Sequence, residues 1–458
     1  MFSLKSIELN YSRKNKYIFS TSDLLKLFLP LVIEQLLEFL VGLTNSIMVA
    51  SVGEAAVSGV SLVEFIMALL ISLFSALSAG GSVIAGQYLG KRDEVNARAA
   101  VNQLVWCVGA VAIGIMILTY FLKSFILDTI FGQISDDVRT QADTYLTIVA
   151  LSIPFLGLYG AGAAIFRTMG NSRLPMLISL LMGVMTVIGN IFALYVFEMG
   201  TLGVAISTLV SRSTATLLLI SLALDPKLPL RITRTVKHRF QWSMIKRILG
   251  IGLPYGLENT LFYLGRIVVL GLVATFGTAA IAANAVAGTI VLFEVLPGIA
   301  IGLGMTVVIA RCVGAGDYAQ ARYYTKKIMM SIFISHILIN GLVLSALPWI
   351  LDIYNLSKEA TSLTTQIVWW HGAFSILIWP FAYTLPVTFR ASGDVKYPMY
   401  VGILTMFFCR IALAYLLGVY FEMGVFGTWV AMFVDWIVKA ILFAWRYMNT
   451  QWTLYRAI

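Results

Sequence analysis

Acidic side chains inside long apolar stretches are the residues of this sequence best suited to do chemistry. Inserting a charge at the centre of a membrane costs about 2.5 to 3.5 kcal/mol, so an acid kept at that depth usually has a function. There it can bind and release a proton, hold a small cation such as Na⁺, or pair with the positive group of a ligand. The carboxylates of this kind are Glu34, Glu38, Glu64, Glu258, Glu294 and Asp435.

Glu34 and Glu258 are the leading candidates among these acids. Each follows a proline by four residues, and they stand at equivalent positions of an internal repeat. A pair related in this way would face each other across a central cleft. We therefore predict that Glu258 and Glu34 bind a coupling cation or a substrate, with the neighbouring amide of Asn259 as a further ligand and with Glu294 and Asp435 as secondary candidates.

The alternative interpretation of these acids is structural. Glu258 would be neutralised by Arg266, and a buried ion pair of that kind would fix helix packing. Glu64 lies near enough to the outer surface to be solvated. Asp435 has three possible cationic partners, namely Lys439 one helical turn away, Arg410 and Arg212.

Histidines and aromatic residues can complete a binding site. His336 and His371 are isolated histidines in apolar stretches, and we interpret them as hydrogen-bonded packing residues, with a proton relay as the alternative. Aromatic rings bind organic cations through their faces. The candidates at suitable depth are Phe262, Tyr263, Phe293, Trp379 and Tyr383.

Membrane helices must position these residues. Of the 458 residues, 59% are hydrophobic and only 12% are charged, a balance that excludes a soluble domain. Twelve apolar stretches are each long enough to cross about 30 Å of hydrocarbon as a helix. We expect neither a disulfide framework nor a metal site from Cys107, Cys312 and Cys409, because their number is odd and no CxxC spacing occurs.

The sequence contains an internal duplication. Matching residues recur in the same order, at an offset of 224 for Pro30 and Glu34, at 223 for Phe166-Arg167, and again at 224 for Phe197-Glu198. Each repeat holds six apolar stretches, and an even number gives both repeats the same orientation in the membrane. We predict an all-α integral membrane protein with twelve transmembrane helices in two pseudo-twofold-related six-helix lobes around a central cavity.

The positive charge indicates how this chain is oriented. It carries 32 Lys and Arg against 22 Asp and Glu, and the basic residues concentrate on alternate segments, as the positive-inside rule requires of cytoplasmic ones. This pattern argues against nucleic acid as a partner, although the basic linker can contact anionic lipid head groups. The predicted parts are a cytoplasmic tail at 1–21, an N-lobe at 22–224, a cytoplasmic basic linker at 225–247, a C-lobe at 248–447 and a cytoplasmic tail at 448–458.

Cysteine labelling tests this topology. A cysteine at position 236 of the linker, in a background without native cysteines, is expected to react with an impermeant maleimide only from the cytoplasmic side. The matched control is Ser357→Cys, in a predicted loop on the opposite side, which should react only from the periplasm. Labelling of position 236 from the periplasm would contradict the predicted orientation.

Several stretches resemble the multidrug and toxic compound extrusion (MATE) family of bacterial secondary transporters. They are LPLVIEQLLEFLVGL at 29–43, GLPYGLENTLFYLGRI at 252–267 and, most specifically, VLPGIAIGLGMTVVIARCVGAGDYAQAR at 295–322. The resemblance implies export of amphipathic, often cationic compounds from the bacterial cytoplasm across the inner membrane, against an inward flow of H⁺ or Na⁺. We expect a monomer with no cofactor other than this coupling ion, and with no bound metal other than a transient Na⁺. Its expected partners are small organic substrates and membrane lipids.

Two positions depart from the family's pattern. Family members commonly have an aspartate in the first span where this sequence has Asn45. An asparagine can coordinate Na⁺ but cannot bind and release a proton, which leaves Asn45 as a candidate cation ligand. Many relatives have the glutamate of the seventh span at the position of Phe262 in this sequence. Glu258 lies one helical turn earlier, so assigning the role of that glutamate to Glu258 is an inference from geometry.

The main hypothesis is a cation-coupled antiporter of organic compounds that works by alternating access. Acids outnumber basic residues at membrane depth, which favours cationic cargo. The alternative is a flippase for a lipid-linked precursor, which would need several basic residues in its cavity. The basic candidates are Arg212, Arg266, Arg410 and Lys439. We do not expect an enzyme, since no HExxH, Walker or GxSxG motif occurs, and no filter-like loop favours a channel.

Overall fold

The computed structural model describes residues 17–130, 132, 134–233 and 240–458 of the chain. Within these ranges every regular element is a helix. The basic residues predicted to orient the N-terminal tail and part of the linker, Arg13, Lys14, Lys16, Arg234, Lys237 and Arg239, lie outside the described residues, as does position 236.

Twelve helical segments follow one another along the chain. Those of the first repeat are α1 Thr21–Ala50, α2 Glu54–Gly90, α3 Glu94–Phe121, α4 Asp136–Thr168, α5 Arg173–Val196 and α6 Gly200–Ala223. Those of the second are α7 Trp242–Ala274, α8 Thr278–Gly314, α9 Tyr318–Tyr354, α10 Lys358–Leu377 with Pro380–Ser392, α11 Lys396–Tyr420 and α12 Gly424–Met448.

The lengths and compositions of these helices fit a membrane. Ten of them are long and apolar enough to cross it individually, and α10 is a bent pair that makes an eleventh span. The remaining predicted span coincides with α1, which is 30 residues long. The two parts of α10 meet at an angle of 57°. Pro380 lies at this bend, and it favours a kink because proline has no backbone N–H to donate to the preceding turn.

By their contacts the helices form two compact units, residues 1–256 with residue 458 (unit 1) and residues 257–457 (unit 2). In unit 1, α2 packs on α3 and α4, and α5 packs on α1 and α6. In unit 2, α8 packs on α9 and α10, and α11 packs on α12. The contacts of α2 with α3 and α4, and of α5 with α6, are therefore repeated by their equivalents in unit 2. The division falls after Gly256, within α7.

Short π-helical segments interrupt several of these helices. In unit 1, α5 ends with Phe192–Val196 in this conformation. In unit 2, Pro380–Thr384 of α10 and both Met406–Ala412 and Leu416–Tyr420 of α11 adopt it. A π segment widens the helical turn locally and frequently marks a functional site.

Candidate functional site

Five polar side chains meet in the interior of unit 2. Glu294 comes from α8, His336 and Asn340 from α9, and His371 and Ser375 from α10. All five are at most 3% exposed. We call this set the polar network. Since such groups are costly to bury without partners, their contacts decide what the network can do.

Glu294 and His371 form the titratable centre of the polar network. Nδ1 of His371 hydrogen bonds to Oε2 of Glu294. The other carboxylate oxygen, Oε1, is buried and has no hydrogen-bond partner among the described residues. An acceptor that is left unpaired in this way is a place where a proton or a small cation would be stabilised.

Asn340, Ser375 and His336 connect α9 to α10 beside this centre. The side-chain amide of Asn340 donates to the carbonyl oxygen of His336 at 2.8 Å, and the hydroxyl of Ser375 donates to Oδ1 of Asn340 at 3.0 Å. Nδ1 of His336 lies 2.8 Å from the carbonyl oxygen of Ser375. Its Nε2 is buried and unpaired among the described residues. The polar network thus links three helices of unit 2.

Two glycines allow these helices to approach so closely. A Cβ on Gly298 would clash with the ring of Trp379 and come within 2.6 Å of Nε2 of His336. A Cβ on Gly372 would lie 3.1 Å from Oδ1 of Asn340. Neither position has space for a larger side chain without movement of its neighbours.

Aromatic side chains screen the polar network from water. The ring of His371 lies edge-on to Trp429 and Trp436, with ring centres 5.9 and 5.1 Å apart. Both tryptophans, with Phe433, belong to the buried hydrophobic cluster of unit 2. In such a low-dielectric setting, gain or loss of one proton between Glu294 and His371 has a large electrostatic effect.

The leading candidates of the sequence analysis are held in a pair of equivalent salt bridges. Nη2 of Arg167 lies 2.6 Å from Glu34 in unit 1, and Nη2 of Arg390 lies 2.8 Å from both carboxylate oxygens of Glu258 in unit 2. The expected partner of Glu258, Arg266, was therefore wrong. Arg266 is on the same helix as Glu258, whereas Arg390 approaches from α10. Whether Glu34 and Glu258 bind a cation stays a prediction.

The other predicted site residues have varied surroundings. Asp435 is fully buried and accepts a hydrogen bond from Lys439 at 2.9 Å, which confirms one of its expected partners. Asn45 accepts one from Asn190 at 2.6 Å, and Asn259 is half-buried. Neither asparagine joins the polar network.

Glu64 is not merely solvated. It is partly exposed, accepts a hydrogen bond from the hydroxyl of Tyr145 at 2.6 Å, and lies 4.0 Å from Arg212. Arg212 is thus near Glu64 within unit 1, whereas the partner that the structure gives Asp435 is Lys439.

Four of the five predicted aromatic residues form one cluster. The ring of Tyr383 stacks on Trp379 with centres 5.2 Å apart and meets Phe262 edge-on at 6.3 Å. Tyr263 meets Phe262 edge-on at 6.2 Å. Phe293 packs against the buried hydrophobic cluster of unit 2, which also includes Trp379.

Comparison with known proteins identifies the family. The MatE family model matches the chain twice, over residues 30–192 and 254–416. Together these matches cover well over half of the chain, and they begin 224 residues apart, as the duplication requires. The chain belongs to the MatE family. The resemblance found in the sequence is thereby confirmed.

MATE relatives match along almost the whole chain. "Uncharacterized transporter YisQ" of Bacillus subtilis (strain 168) is 24% identical over 439 residues, which cover 94% of this chain and 95% of the relative. "Probable multidrug resistance protein NorM" of Thermotoga maritima is 23% identical over 450 residues, which cover 97% and 95%.

Solved MATE structures share the fold. One described as the outward-facing conformation of a multidrug resistance MATE family transporter of the MOP superfamily matches with a TM-score of 0.88 at 18% identity, over 94% of this chain and 96% of that one. The all-α fold of twelve membrane helices predicted from the sequence is confirmed. This MATE protein is a multi-pass integral membrane protein of a transporter family.

Proposed function

We propose that this MATE-family protein is an antiporter that exports amphipathic organic compounds in exchange for H⁺, and that Glu294 and His371 bind the proton. The observation that carries the proposal is their direct contact inside unit 2, with Oε1 of Glu294 buried and unpaired among the described residues. A proton held between carboxylate and imidazole neutralises the carboxylate. Its release leaves a buried negative charge, which destabilises the present packing of α8 and α10.

The difference between the two repeats supports this assignment. The salt bridges of Glu34 and Glu258 occur in both units, as expected of a feature that serves the shared architecture. Glu294, in contrast, corresponds to Leu70 in the first repeat. A six-helix unit therefore does not need an acid at this position, and the acid is better explained by transport.

The proton fits this site better than Na⁺. One oxygen of Glu294 is already bonded to an imidazole, which is a partner that a proton can share but that a metal cation would have to displace. The surrounding rings of Trp429 and Trp436 offer no oxygen ligand. Na⁺ coupling through Asn45, Asn259, Glu34 or Glu258 stays an alternative prediction.

Transport in reconstituted liposomes tests the proposal. With a pH gradient imposed and Na⁺ equal on both sides, the purified protein is expected to accumulate at least one dye of a panel that includes cationic ethidium and anionic pyrenebutyrate, with proton movement in the opposite direction. With a Na⁺ gradient and equal pH, accumulation should remain at the level of protein-free liposomes. Accumulation driven by Na⁺ alone would refute coupling through protons.

The alternative function, a flippase for a lipid-linked precursor, is favoured by one observation. Three of the four basic residues at membrane depth, Arg266, Arg410 and Lys439, lie in the same part of unit 2 and interact electrostatically. A diphosphate head group needs such a cluster. Transfer of a labelled phospholipid between leaflets, followed by dithionite quenching, would show this activity without any ion gradient.

The setting of the transporter is part of the same proposal. The protein would lie in the cytoplasmic membrane of a bacterium as a monomer, with both termini and the linker on the cytoplasmic side. The charge distribution of the sequence supports this orientation. It requires no cofactor other than the coupling ion.

A further inference from the structure

A cluster of basic and aromatic side chains in unit 2 takes no part in the polar network. We define the cationic cluster as Arg266 of α7, Arg410 of α11 and Lys439 of α12, together with the rings of Phe262 and Tyr383. The guanidinium carbon of Arg410 lies 5.1 Å from the ring centre of Phe262, and Nζ of Lys439 lies 5.8 and 5.3 Å from the ring centres of Phe262 and Tyr383.

The charges of the cationic cluster do not balance. Lys439 is paired with Asp435 at 2.9 Å. Among the described residues, no carboxylate lies within 4.0 Å of Arg266 or Arg410. Nη1 of Arg410 is moreover buried without a hydrogen-bond partner in the part of the chain that the structure describes. Arg410 thus lies over the ring of Phe262 and Arg266 is close enough to Arg410 to be repelled by it, and among the described residues neither arginine has an acidic partner within 4.0 Å.

The fold does not require these charges. At the positions equivalent to Arg266 and Lys439, the first repeat has Gly42 and Ala215. The same six-helix architecture is thus built without them in unit 1. A charge at membrane depth has a free-energy cost of insertion, and the fold can form without this one. Its retention is explained if it binds a ligand.

Two residues of the cationic cluster lie in π-helical segments of the backbone. Arg410 lies within the π-helical segment Met406–Ala412, and Tyr383 lies within Pro380–Thr384. Arg266 is exposed and Arg410 is partly exposed, so a ligand can reach the cluster.

We propose that the cationic cluster binds the anionic group of an amphipathic cargo. Arg266 and Arg410 would clamp a carboxylate, sulfonate or phosphate, because a guanidinium matches the oxygens of these groups with paired hydrogen bonds. The rings of Phe262 and Tyr383 would pack against the apolar or aromatic body attached to it. The cargo of this exporter therefore carries an acidic group, alone or in a zwitterion. This inference rests on the proposed transport function, which it narrows to a class of substrate.

Equilibrium binding without any gradient tests the proposal. The protein in phosphatidylcholine nanodiscs is titrated with pyrenebutyrate and, separately, with the trimethylammonium analogue of the same pyrene. Wild type is expected to bind the carboxylate, and Arg266→Gln/Arg410→Gln should bind it at least about tenfold more weakly. The affinity of Arg410→Lys for pyrenebutyrate should lie between those of wild type and the double variant. Lysine keeps the positive charge but cannot donate the paired hydrogen bonds of a guanidinium. The cationic analogue should not lose affinity in any of these variants.

Arg212→Gln is the matched control, because it removes an arginine from a membrane helix of unit 1 outside the cluster. It should bind pyrenebutyrate like wild type. Equal thermal stability of all variants in detergent would show that they fold. Unchanged binding of pyrenebutyrate by the double variant, or an equal loss for the cationic analogue, would overturn the anion site.

A second arm identifies the source of the anion. Phosphatidic acid added to the nanodiscs should leave pyrenebutyrate bound if the natural cargo is a water-soluble organic acid. Competition by phosphatidic acid for pyrenebutyrate in wild type would assign the same site to a lipid phosphate, and phosphatidic acid itself should then bind the double variant more weakly than wild type. Because no transport is measured, failure of proton coupling would leave this result intact.

Discussion

The Glu294→Gln variant is expected to lose proton-driven export while still folding and inserting into the membrane. Glutamine keeps the shape of the side chain and its hydrogen bond to His371, but it cannot bind and release a proton. A gradient of one pH unit supplies about 1.4 kcal/mol per proton and supports about a tenfold accumulation of a neutral cargo in one-for-one exchange. The variant should show none of this accumulation in liposomes containing equal amounts of protein.

Comparison of Glu294→Gln with other variants shows whether the loss is specific. Glu294→Asp, which keeps a titratable group, should retain part of the coupling. His371→Gln should lower the rate of proton-driven transport, because Glu294 then lacks the imidazole with which it shares the proton. If Glu294→Gln accumulates dye like wild type while Glu258→Gln does not, the coupling site is Glu258, as the sequence first suggested.

Breaking one of the duplicated salt bridges should strongly destabilise the protein. Arg390→Met leaves Glu258 as an uncompensated charge in a largely buried position, which typically costs about 3 to 5 kcal/mol. The double variant Glu258→Gln/Arg390→Met removes both charges and should recover most of the loss. Unfolding by SDS titration in mixed micelles measures both effects.

Unit 1 provides a matched test of the same interaction. Arg167→Met should destabilise the protein to a similar extent, and Glu34→Gln should again compensate, since Glu34 is even more deeply buried than Glu258. Additive rather than compensating effects in both units would show that each arginine is held by other contacts. Loss of transport in a well-folded double variant would return Glu34 and Glu258 to the list of coupling residues.

The helices could be predicted because they depend on local composition. The duplication could be predicted because matching residues recur at a nearly constant offset. A long apolar stretch must form a helix in a membrane, since no other conformation satisfies its backbone there. The residues of the site could be nominated for a similar reason, because Glu294 and both histidines are polar groups in apolar surroundings.

Their pairing could not be predicted in the same way. Sequence reasoning favoured partners on the same helix, which succeeded for Asp435 and Lys439 and failed for Glu258. Arg390 is 132 residues from Glu258, and Glu294 is 77 residues from His371. Asn340, which hydrogen bonds to His336 and Ser375, was not predicted as a site residue from the sequence. Such contacts depend on how helices pack, and this is set by small residues such as Gly298 that are common in membrane spans.

The extra π-helical segment of α11 gives a clue to how the two units diverged. The repeats match at an offset of 223 at Pro398 and at 224 at Phe421, so the second copy has one residue more than the first between these points. Within this interval α11 has two π segments, whereas α5 of the first copy has one. A π segment has a wider turn than an α-helix and can take up a single inserted residue, so that the helix on either side keeps its orientation. Arg410 lies inside the first of these segments. An insertion in one copy of the duplicated gene would thus change the helix only at this turn, and deleting one residue from Met406–Ala412 should restore a regular α-helical turn and change the position of Arg410 relative to Phe262.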